Sequence, residues 1–380
     1  MSRDRYSAIL EFLHFADNTQ PADAADKLRK VRPLIDLMNN MFRTSYKPKK
    51  EISIDEELVK FKGRVSFRQY IPSKRARFGV KIFALCDHKG YYWNSSIYLG
   101  KPLTPSPLTT ELGVSGAVVV SLLRDLIGKG YHLYLDNFYN SLPLCEYLTD
   151  RNTSVCGTLR SNRVGIPKTL KDEDVPKGKF AYLRKGRMEI IKLHDRKMVY
   201  MISNIHNTDT TATGKRNRQR QRIHRLTINH NYNQYMGGVD KNDSMVAAHS
   251  GLRKSVKWYK KVGFHYLEEG LQNAFIIYKQ LSHKIISHYG FLKEAASSLL
   301  SEAEQPAIAA DTGNQDRLLG RHWPAEMPPT ENNDRPRRRC RVCLSHGRRK
   351  DTTVMCETCH DKPPLCIGGC FKAYHTKKNY

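Results

Sequence analysis

The chain has 380 residues, 39% of them hydrophobic, which is enough for two or three domains with buried cores. Its 64 Lys and Arg residues outnumber 37 acidic residues and give a formal net charge of +27. This excess indicates a polyanionic partner, and it favours nucleic acid over an anionic membrane surface. The sequence shows no apolar run of the ~20 residues that span a bilayer and no signal peptide, which argues against a membrane protein.

Cysteine usage separates the end of the chain from the rest. Six of the nine cysteines lie in the last 41 residues. Cys86, Cys145 and Cys156 lie singly in apolar segments and are interpreted as ordinary core cysteines. This distribution predicts a local metal site in a reducing compartment, not a secreted disulfide framework.

The first hundred residues change from a helical to a strand pattern. Residues 1–46 are predicted to be helical, because their apolar residues recur at helical spacing. From Glu51 the residues alternate, and Asp55 lies on the face opposite Ile52 and Ile54. Two or three further strands follow, which predicts the start of a sheet.

The segment Tyr131–Ser141, YHLYLDNFYNS, begins as a strand of aromatic and apolar residues. Asp136 stands at its end, where desolvating a carboxylate costs several kcal/mol unless something compensates for the charge. The ordinary explanation is a cap on the next helix, predicted for Ser141–Asp150. Three strands, a helix, a strand and a helix predict an α/β sheet with an antiparallel edge.

Two basic segments accompany these elements. One is the loop PSKRARFG, and the other is the run Lys215–Arg225, which has six Lys and Arg and no acid in 11 residues. A solvated surface loop is the ordinary interpretation of such a run. In a chain of charge +27, phosphate contact and nuclear import are the competing interpretations. The candidate DNA-binding residues are Lys74, Arg75, Arg77, Lys215, Arg216, Arg218, Arg220 and Arg222.

Regular patterns return after residue 231. In YNQYMGGVDKNDSM, the pair Gly237-Gly238 breaks the chain just before a helix that begins near Asp240. Lys257–Leu281 has the pattern of an amphipathic helix. Residues 301–338 are rich in Pro, Asn, Asp and Ala, which predicts a linker.

The tail has the spacing of a zinc-binding segment, with two Cys-x-x-Cys pairs. Two closed tetrahedral sites need eight ligands, so His346 or His360 supplies the last one, or a single site uses four of the seven candidates. So short a segment buries little core, and the metal is expected to supply most of its folding free energy. A RING-like ubiquitin-ligase module is disfavoured, because its Cys-x-His pair is absent between the knuckles. The seven candidate zinc ligands are Cys340, Cys343, Cys356, Cys359, Cys366, Cys370 and His375.

Many separate motifs resemble the piggyBac family of DNA transposases, in the family's order and over nearly the whole chain. They are MSRDRY, SIDEELVKFKGR, YIPSKRARFGVK, LYLDNFYNS, GTLRSNRVGIP, YNQYMGGVDKND, RKSVKWYKK and the cysteine-rich end. The resemblance implies an α/β fold with a ribonuclease H-like catalytic domain, an insertion domain, flanking helical dimerisation and DNA-binding segments, and a C-terminal zinc-binding domain. The implied bounds are 1–50 for a partial helical segment, 51–160 and 226–250 for the catalytic domain, 161–225 for the insertion domain, 251–300 for the second helical segment, 301–338 for the linker and 339–380 for the cysteine-rich domain.

The resemblance also implies a three-aspartate site. The family's catalytic aspartates match Asp55 of SIDEEL, Asp136 of LYLDNF and Asp240 of GGVDKND, with Asp243 one helical turn further on. Two-metal phosphoryl transfer needs such carboxylates to hold two Mg²⁺ (or Mn²⁺) ions ~3.5–4 Å apart. The chain departs from the family in two places. Family members have a longer region before MSRDR, and CFKAYH replaces the last cysteine pair of some members, so one or two Zn²⁺ ions are expected.

The function that the resemblance implies is a nuclear, Mg²⁺-dependent cut-and-paste transposase that acts as a homodimer. It would nick the 3′ ends of its element, pass through a hairpin at TTAA and join a new TTAA. The expected partner is double-stranded DNA, with no membrane and no small-molecule substrate. The alternative is a domesticated relative that binds DNA without cleaving it, which the short N-terminal region favours.

Overall fold

The computed structural model divides into two compact units, Met1–Ala295 and Ala296–Tyr380. Within the described part of the chain, no helix is both long and apolar enough to cross a bilayer. Arg75 and Arg218 of the candidate DNA-binding set lie outside the described residues. The described residues are 2–17, 25–72, 74, 76–100, 106–216, 219–220, 222–251, 254–282, 284–304, 316–318, 320–331 and 333–377.

A nine-stranded mixed sheet is the centre of the first unit. Its strands are β1 (Glu51–Lys60), β2 (Arg68–Tyr70), β3 (Phe78–Asp87), β4 (Tyr92–Ile97), β5 (His132–Leu135), β6 (Ser154–Leu159), β7 (Phe180–Lys185), β8 (Met188–His194) and β9 (Met198–Ser203). Their order is β2-β3-β1-β5-β6-β9-β8-β7, and β4 also pairs with β3. Strand β5 runs parallel to both β1 and β6, and the other pairings are antiparallel. The predicted α/β sheet with an antiparallel edge is confirmed.

Helices cover this sheet, and a separate two-stranded sheet follows its last strand. The described helices of this part of the chain are α1 (Arg3–Phe12), α2 (Arg32–Ser45), α3 (Pro107–Leu123), α4 (Leu142–Asp150), α5 (Lys168–Asp172), α6 (Thr227–Tyr235), α7 (Gly238–Ala248), α8 (Trp258–Leu281) and α9 (His288–Glu304). The two-stranded sheet consists of β10 (Thr210–Arg216) and β11 (Arg222–Leu226).

The sheet has a hydrophobic core on each face. On one face, Ile54 and Leu135 pack in a cluster with residues of α3 and α4 such as Leu123. On the other face, Ile82 packs in a cluster with residues of α2 and α8 such as Tyr266. Strand β3 lies between the two cores and is buried along almost its whole length, which explains its near-continuous apolar sequence.

The segment 161–225, expected to form an insertion domain, supplies three strands to the central sheet. Strand β9 pairs antiparallel with β6, and β8 and β7 follow outward. Ile190 and Ile202 of these strands belong to the same hydrophobic cluster as Leu133. The strands therefore share the core of the sheet, and β10 and β11 pair apart from it.

The second unit is a small cysteine-rich fold. Its remaining elements are α10 (Arg341–Ser345), α11 (Gly369–Thr376), β12 (Pro324–Glu326), β13 (Arg338–Arg339), β14 (Asp351–Thr352) and β15 (Val354–Cys356). Strand β12 pairs with β15, and Arg317 donates to the carbonyl of Lys377 at 2.8 Å. Described residues from Asp316 onward, within the segment 301–338 that was expected to be a linker, therefore contribute contacts and a strand to this fold.

Candidate active site and metal centres

Two of the three candidate catalytic aspartates lie side by side on neighbouring parallel strands, where the pairing of β1 with β5 ends. Ile54 of β1 is the register partner of Leu135 of β5. Asp55 and Asp136 are the next residues on each strand, and neighbouring strands lie ~4.8 Å apart. The hydrophobic residues before each aspartate fix this register, because both are fully buried in the same core.

Asp136 does not cap the helix that follows it. Ser141 is the cap of α4, and its hydroxyl accepts a hydrogen bond from the Leu144 amide at 3.3 Å. The Asp136 carboxylate instead accepts from the amides of Phe138, at 2.9 Å, and Tyr139, at 3.4 Å. These bonds fix the carboxylate at the strand end.

The two carboxylates share an acidic, partly desolvated environment. Burial raises the pKa of Asp55 to about 7, and the charges of Glu56 and Asp136 add to this rise, while Lys74 opposes it. Burial also raises the pKa of Asp136, with a further rise from Glu56. Such crowding of acids is unfavourable by itself and favours a bound cation.

Asp240 and Asp243 approach from helix α7. Asp240 lies in the first turn of this helix, and its side chain is 69% exposed, with Lys74 Nζ 3.8 Å away. Desolvation and the charge of Glu57 raise the pKa of Asp243, while Lys74 lowers it. Lys74 also donates to the carbonyl of Glu56 at 2.8 Å, so it links β1 to α7.

The three aspartates are not gathered at one point. Some described Asp, Glu, His and Cys side chains form groups of three or more whose candidate ligand atoms all lie within 4.8 Å of one another. None of these groups of described residues contains Asp55, Asp136 and Asp240 together. Asp55 and Asp136 are neighbours, and Lys74 connects them to Asp240. The carboxylates therefore line one region of the surface, at the end of β5 and the start of α7.

A glycine allows α7 to approach the sheet closely. A Cβ added to Gly238 would lie 2.6 Å from Ser53 Oγ on β1 and 2.7 Å from the backbone oxygen of Asp87 on β3. Any side chain at this position would push the helix away from both strands. Gly238 therefore fixes the distance between the strands and the helix that begins with Asp240.

Sequence reasoning missed Glu56 as a member of this site. Its carboxylate accepts from the hydroxyl of Tyr139 at 3.2 Å, and Lys81 Nζ lies 3.6 Å away. Its charge raises the pKa values of both Asp55 and Asp136. The signal was present in the motif SIDEEL, where the acid directly follows Asp55, but only the tertiary structure brings Tyr139 and Lys81 to it.

Two further basic residues beside Asp136 were also missed. Arg160 Nε donates to the side-chain oxygen of Asn137 at 3.2 Å, and its charge lowers the pKa of Asp136. Arg163 donates to the backbone oxygens of Asn137, at 3.0 Å, and Phe138, at 2.8 Å. The motif GTLRSNR contains both arginines, but its proximity to the end of β5 depends on the pairing of β5 with β6.

The candidate DNA-binding residues divide between two places. Lys74 lies among the carboxylates, and Arg77 is exposed at the end of the same loop. The others that are described belong to the β10–β11 hairpin, where Arg216 is the register partner of Arg222 and its guanidinium donates to the carbonyl of Arg220 at 2.9 Å. Lys215 lies in β10. The described arginines of this hairpin are exposed.

The cysteine-rich unit contains two groups of four possible metal ligands, and the candidate ligand atoms of each group lie within 4.8 Å of one another. The first group is Cys340, Cys343, Cys366 and Cys370. The second group is His322, Cys356, Cys359 and His375. All seven ligands predicted from the sequence therefore fall into one of two four-residue groups.

The separations within these groups suit tetrahedral zinc. The sulfurs of Cys343 and Cys370 are 3.6 Å apart, too far for a disulfide. The sulfur of Cys359 lies 3.4 Å from His322 Nδ1 and 3.5 Å from His375 Nε2. Bonds of ~2.3 Å to sulfur and ~2.0 Å to nitrogen put tetrahedral ligands roughly 3.5–3.8 Å apart.

The eighth candidate ligand is His322, and neither His346 nor His360 belongs to the two groups. His322 lies in the segment predicted as a linker, 18 residues before Cys340, and its ring stacks on that of His375 at 4.1 Å. His346 instead has Nδ1 2.8 Å from the carbonyl of Val342. A single histidine in a Pro-rich segment has no ligand spacing, so the sequence alone does not identify it.

Two family models match the chain in separate regions. A model described as Transposase IS4 matches residues 1–275. A model described as a DDE_Tnp_1-like zinc finger matches residues 326–376. The first match covers the sheet and the candidate carboxylates, and the second covers the cysteine pairs.

Known proteins resemble the chain along most of its length. It is 27% identical over 393 residues to human PiggyBac transposable element-derived protein 3, covering 99% of this chain and 64% of that protein. It is 28% identical over 291 residues to human PiggyBac transposable element-derived protein 2, covering 73% of this chain and 48% of that protein. The chain thus spans less than two thirds of the length of these curated relatives. A cryo-EM structure of a piggyBac transposase synaptic complex with hairpin DNA superposes with a TM-score of 0.69 and 26% identity, covering 96% of this chain and 78% of that one.

Proposed function

Because the chain belongs to the piggyBac-type Transposase IS4 family, we propose that it is a DNA transposase that cleaves and joins DNA strands by metal-dependent phosphoryl transfer. The observation that carries this proposal is the pair Asp55 and Asp136, side by side on parallel strands with raised pKa values. An ordinary surface would leave these carboxylates solvated. Their crowding is explained by a function that needs concentrated negative charge.

The donor set fits Mg²⁺ or Mn²⁺, because carboxylate oxygens are the ligands that these ions prefer. Asp55, Asp136 and Asp240 would hold the ions, with Asp243 assisting. Two such ions, when bound, activate the attacking water or 3′-hydroxyl and stabilise the leaving oxygen. The amides of Phe138 and Tyr139 fix the Asp136 carboxylate for this task.

The basic residues around the carboxylates would bind the DNA backbone. Lys74 of the loop before β3 lies beside the acidic region, as do Arg160 and Arg163 of the turn after β6. Arg77 is exposed at the end of the same loop as Lys74. Phosphate contacts supply most of the affinity in such complexes. The structural relative was solved with hairpin DNA, and we propose the same kind of substrate for this chain. We further propose that the chain acts as a dimer in the nucleus and that its target site is TTAA.

For the cysteine-rich unit we propose two Zn²⁺ ions, one in each four-residue group. Both groups are closed, with four protein ligands, which is typical of structural rather than catalytic zinc. The unit carries an excess of basic residues, twelve against three acidic ones between Arg335 and Tyr380. The basic fold would therefore contact DNA, at the transposon end.

A second candidate function is DNA binding without cleavage. It is favoured by the names of the human relatives, which are transposable element-derived proteins. The presence of all three aspartates and the electrostatic coupling of Asp136 to Asp55 favour the catalytic proposal. The two functions differ in one measurable property, the nicking of DNA.

Strand nicking tests the proposal. The full-length chain with Mg²⁺ is expected to nick a TTAA-flanked transposon end, and Asp136→Asn is expected to lower the rate by at least ~10³-fold, because a two-metal site would lose a charged ligand. DNA binding by this variant should remain. Asp150→Asn, at the exposed end of α4, is the matched control and should nick normally. Binding by the wild-type chain without nicking would support the second candidate instead.

A further inference from the structure

A group of buried ionisable side chains lies between β1 and α8, next to the aspartate region. Glu57 belongs to β1, and His265 and Glu269 lie one turn apart on α8. Their exposed fractions are 2%, 6% and 0%. Their candidate ligand atoms all lie within 4.8 Å of one another.

The distances within this group suit a metal ion held by nitrogen and oxygen. His265 Nε2 lies 3.1 Å from Glu57 Oε1 and 3.7 Å from Glu269 Oε1. Ligand bonds of ~2.0–2.2 Å put the donor atoms of one ion roughly 3–3.5 Å apart. The hydroxyl of Tyr92 donates to Glu57 Oε1 at 2.6 Å, which holds that carboxylate in place as an outer partner of a metal ligand does.

Several oxygens of the group are buried without a hydrogen-bond partner. They include Glu57 Oε2 and both carboxylate oxygens of Glu269. Oδ1 of Asn242, a residue of α7 that is also fully buried, is likewise unpartnered. The Glu269 carboxylate lies 3.7 Å from His265 Nε2, and a buried carboxylate whose charge is so weakly paired costs several kcal/mol. When both carboxyl groups are ionised, their two negative charges exceed the single positive charge of a protonated imidazole.

We propose that Glu57, His265 and Glu269 form a binding site for one divalent transition-metal ion, with Zn²⁺ or Mn²⁺ the ions that one imidazole and two carboxylates suit. The ion would balance both carboxylates and give the unpartnered oxygens a ligand role. It would also tie α8 to β1 two residues from Asp55, which makes it a structural site next to the proposed catalytic one. This site does not depend on whether the chain cleaves DNA.

Metal content of the intact protein tests this site. Full-length wild-type protein, purified without added chelator, is expected to carry one transition-metal ion per chain more than Glu269→Gln when both are measured by plasma mass spectrometry. Glu268→Gln is the matched control, because Glu268 is the neighbouring residue and binds Ser250 and Gly251 instead. The control should keep the wild-type metal content.

Equal metal content in folded Glu269→Gln and wild type would overturn the proposal. It would mean that a protonated carboxyl group at Glu269, donating to a neighbour such as Asn242, satisfies the group without a metal. A second measurement tests the proposal on wild-type protein, so that it holds even when Glu269→Gln fails to fold. Wild-type crystals soaked in Mn²⁺ should give an anomalous scattering peak between the three side chains, and no peak there would also overturn the proposal.

Discussion

Individual residues at the aspartate region are held in positions that favour function over stability. The carboxyl group of Asp55 has a pKa of about 7, because burial and then the neighbouring charges of Glu56 and Asp136 oppose its ionisation. A residue placed in this way lowers the stability of the metal-free fold. A cation bound between the carboxylates would offset that cost.

This cost gives a prediction for Asp55→Asn. From pH 4 to pH 7 the folded state, with its raised pKa, retains a proton at Asp55 that the unfolded state releases near pH 3.8. The unfolding free energy of the wild type therefore falls as pH rises through this window. In Mg²⁺-free buffer at pH 8, Asp55→Asn is expected to melt ~2–4 °C above the wild type.

Thermal unfolding with and without Mg²⁺ checks this prediction. Mg²⁺ should stabilise the wild type and leave Asp55→Asn unchanged, because the variant lacks a charged ligand. Asp150→Asn, at an exposed position, should behave like the wild type in both buffers. A variant that melts below the wild type at pH 8 would show that Asp55 stabilises the fold instead.

At the same scale, the sequence identified some site residues and missed others for a physical reason. Asp55, Asp136 and Asp240 belong to local motifs that are readable from the chain. Glu56 contacts Lys81, which is 25 positions away in the sequence, and Tyr139, which is 83 positions away. His322 lies 34 positions from Cys356 and 37 positions from Cys359. Spacing rules carry no information about pairings of this kind, which the tertiary fold decides.

At the scale of the elements, α7 lies close against the central sheet. It packs against both β1 and β3 and brings Asp240 towards the strand ends. The short sequence GGVD determines this approach, because the second glycine contacts the strands and the first does not. The two adjacent glycines therefore offer an internal comparison.

Gly238→Ala is expected to shift α7 away from the sheet. The added Cβ would meet the backbone oxygen of Asp87 at 2.7 Å, which cannot move without disturbing β3. We expect a loss of stability of ~1–3 kcal/mol and a larger loss of Mg²⁺-dependent nicking, since displacements of about 1 Å can cost ~10²-fold in rate.

Gly237→Ala is the control, because a Cβ at this position has no neighbour within 4 Å. Chemical unfolding and nicking rates measured on both variants separate the two positions. Equal effects of the two substitutions would mean that both positions are glycine because the backbone there must be flexible, and not because Gly238 packs closely against the strands. Small effects at both positions would mean that the helix tolerates the shift.

The sequence pattern identified the type of two long elements, but not which of their residues are buried. Strand β1 was recognisable by its alternation and α8 by its amphipathic pattern. However, Ser53 and Glu57 on the polar face of β1 are buried, and Leu267 and Leu271 on the apolar side of α8 are exposed. Strands β7 to β9 extend a sheet that begins more than a hundred residues earlier. No local pattern in the sequence indicates which sheet such strands join.

For the whole molecule, the two units are stabilised by different means. The first unit has extensive hydrophobic clusters on both faces of its sheet. The described core of the second unit is small and consists largely of the cysteines themselves. Its stability therefore depends on metal binding.

Zinc removal is expected to unfold the second unit alone. A strong chelator should release two Zn²⁺ ions from the two cysteine-containing groups and make residues 316–377 sensitive to protease. The fragment that contains the sheet should stay resistant, because its core does not depend on these ligands. Zn²⁺ should restore resistance and Mg²⁺ should not, since thiolates select zinc. A zinc-free second unit that resists protease would contradict this prediction.

The net charge of +27 acts over the whole molecule, so specific phosphate contacts must be separated from a general attraction. The exposed residues Arg77, Arg220 and Arg222 belong to the basic loop and hairpin that were assigned to DNA binding from the sequence. Replacing all three by Ala should weaken binding to different DNA sequences alike. The slope of log K against log salt should become shallower by roughly 0.9 for each phosphate that the variant no longer neutralises, or about 2.7 in total.

A second triple variant with the same charge change provides the control. Lys177, Lys179 and Lys197 are exposed near β7 to β9, away from the loop and the hairpin in sequence, and their replacement by Ala should leave the salt slope nearly unchanged. Titrations of labelled duplexes at several salt concentrations measure both slopes. If both triples lower the slope equally, the basic residues act only through the long-range field of the molecule, and the loop and hairpin do not touch the backbone of the DNA.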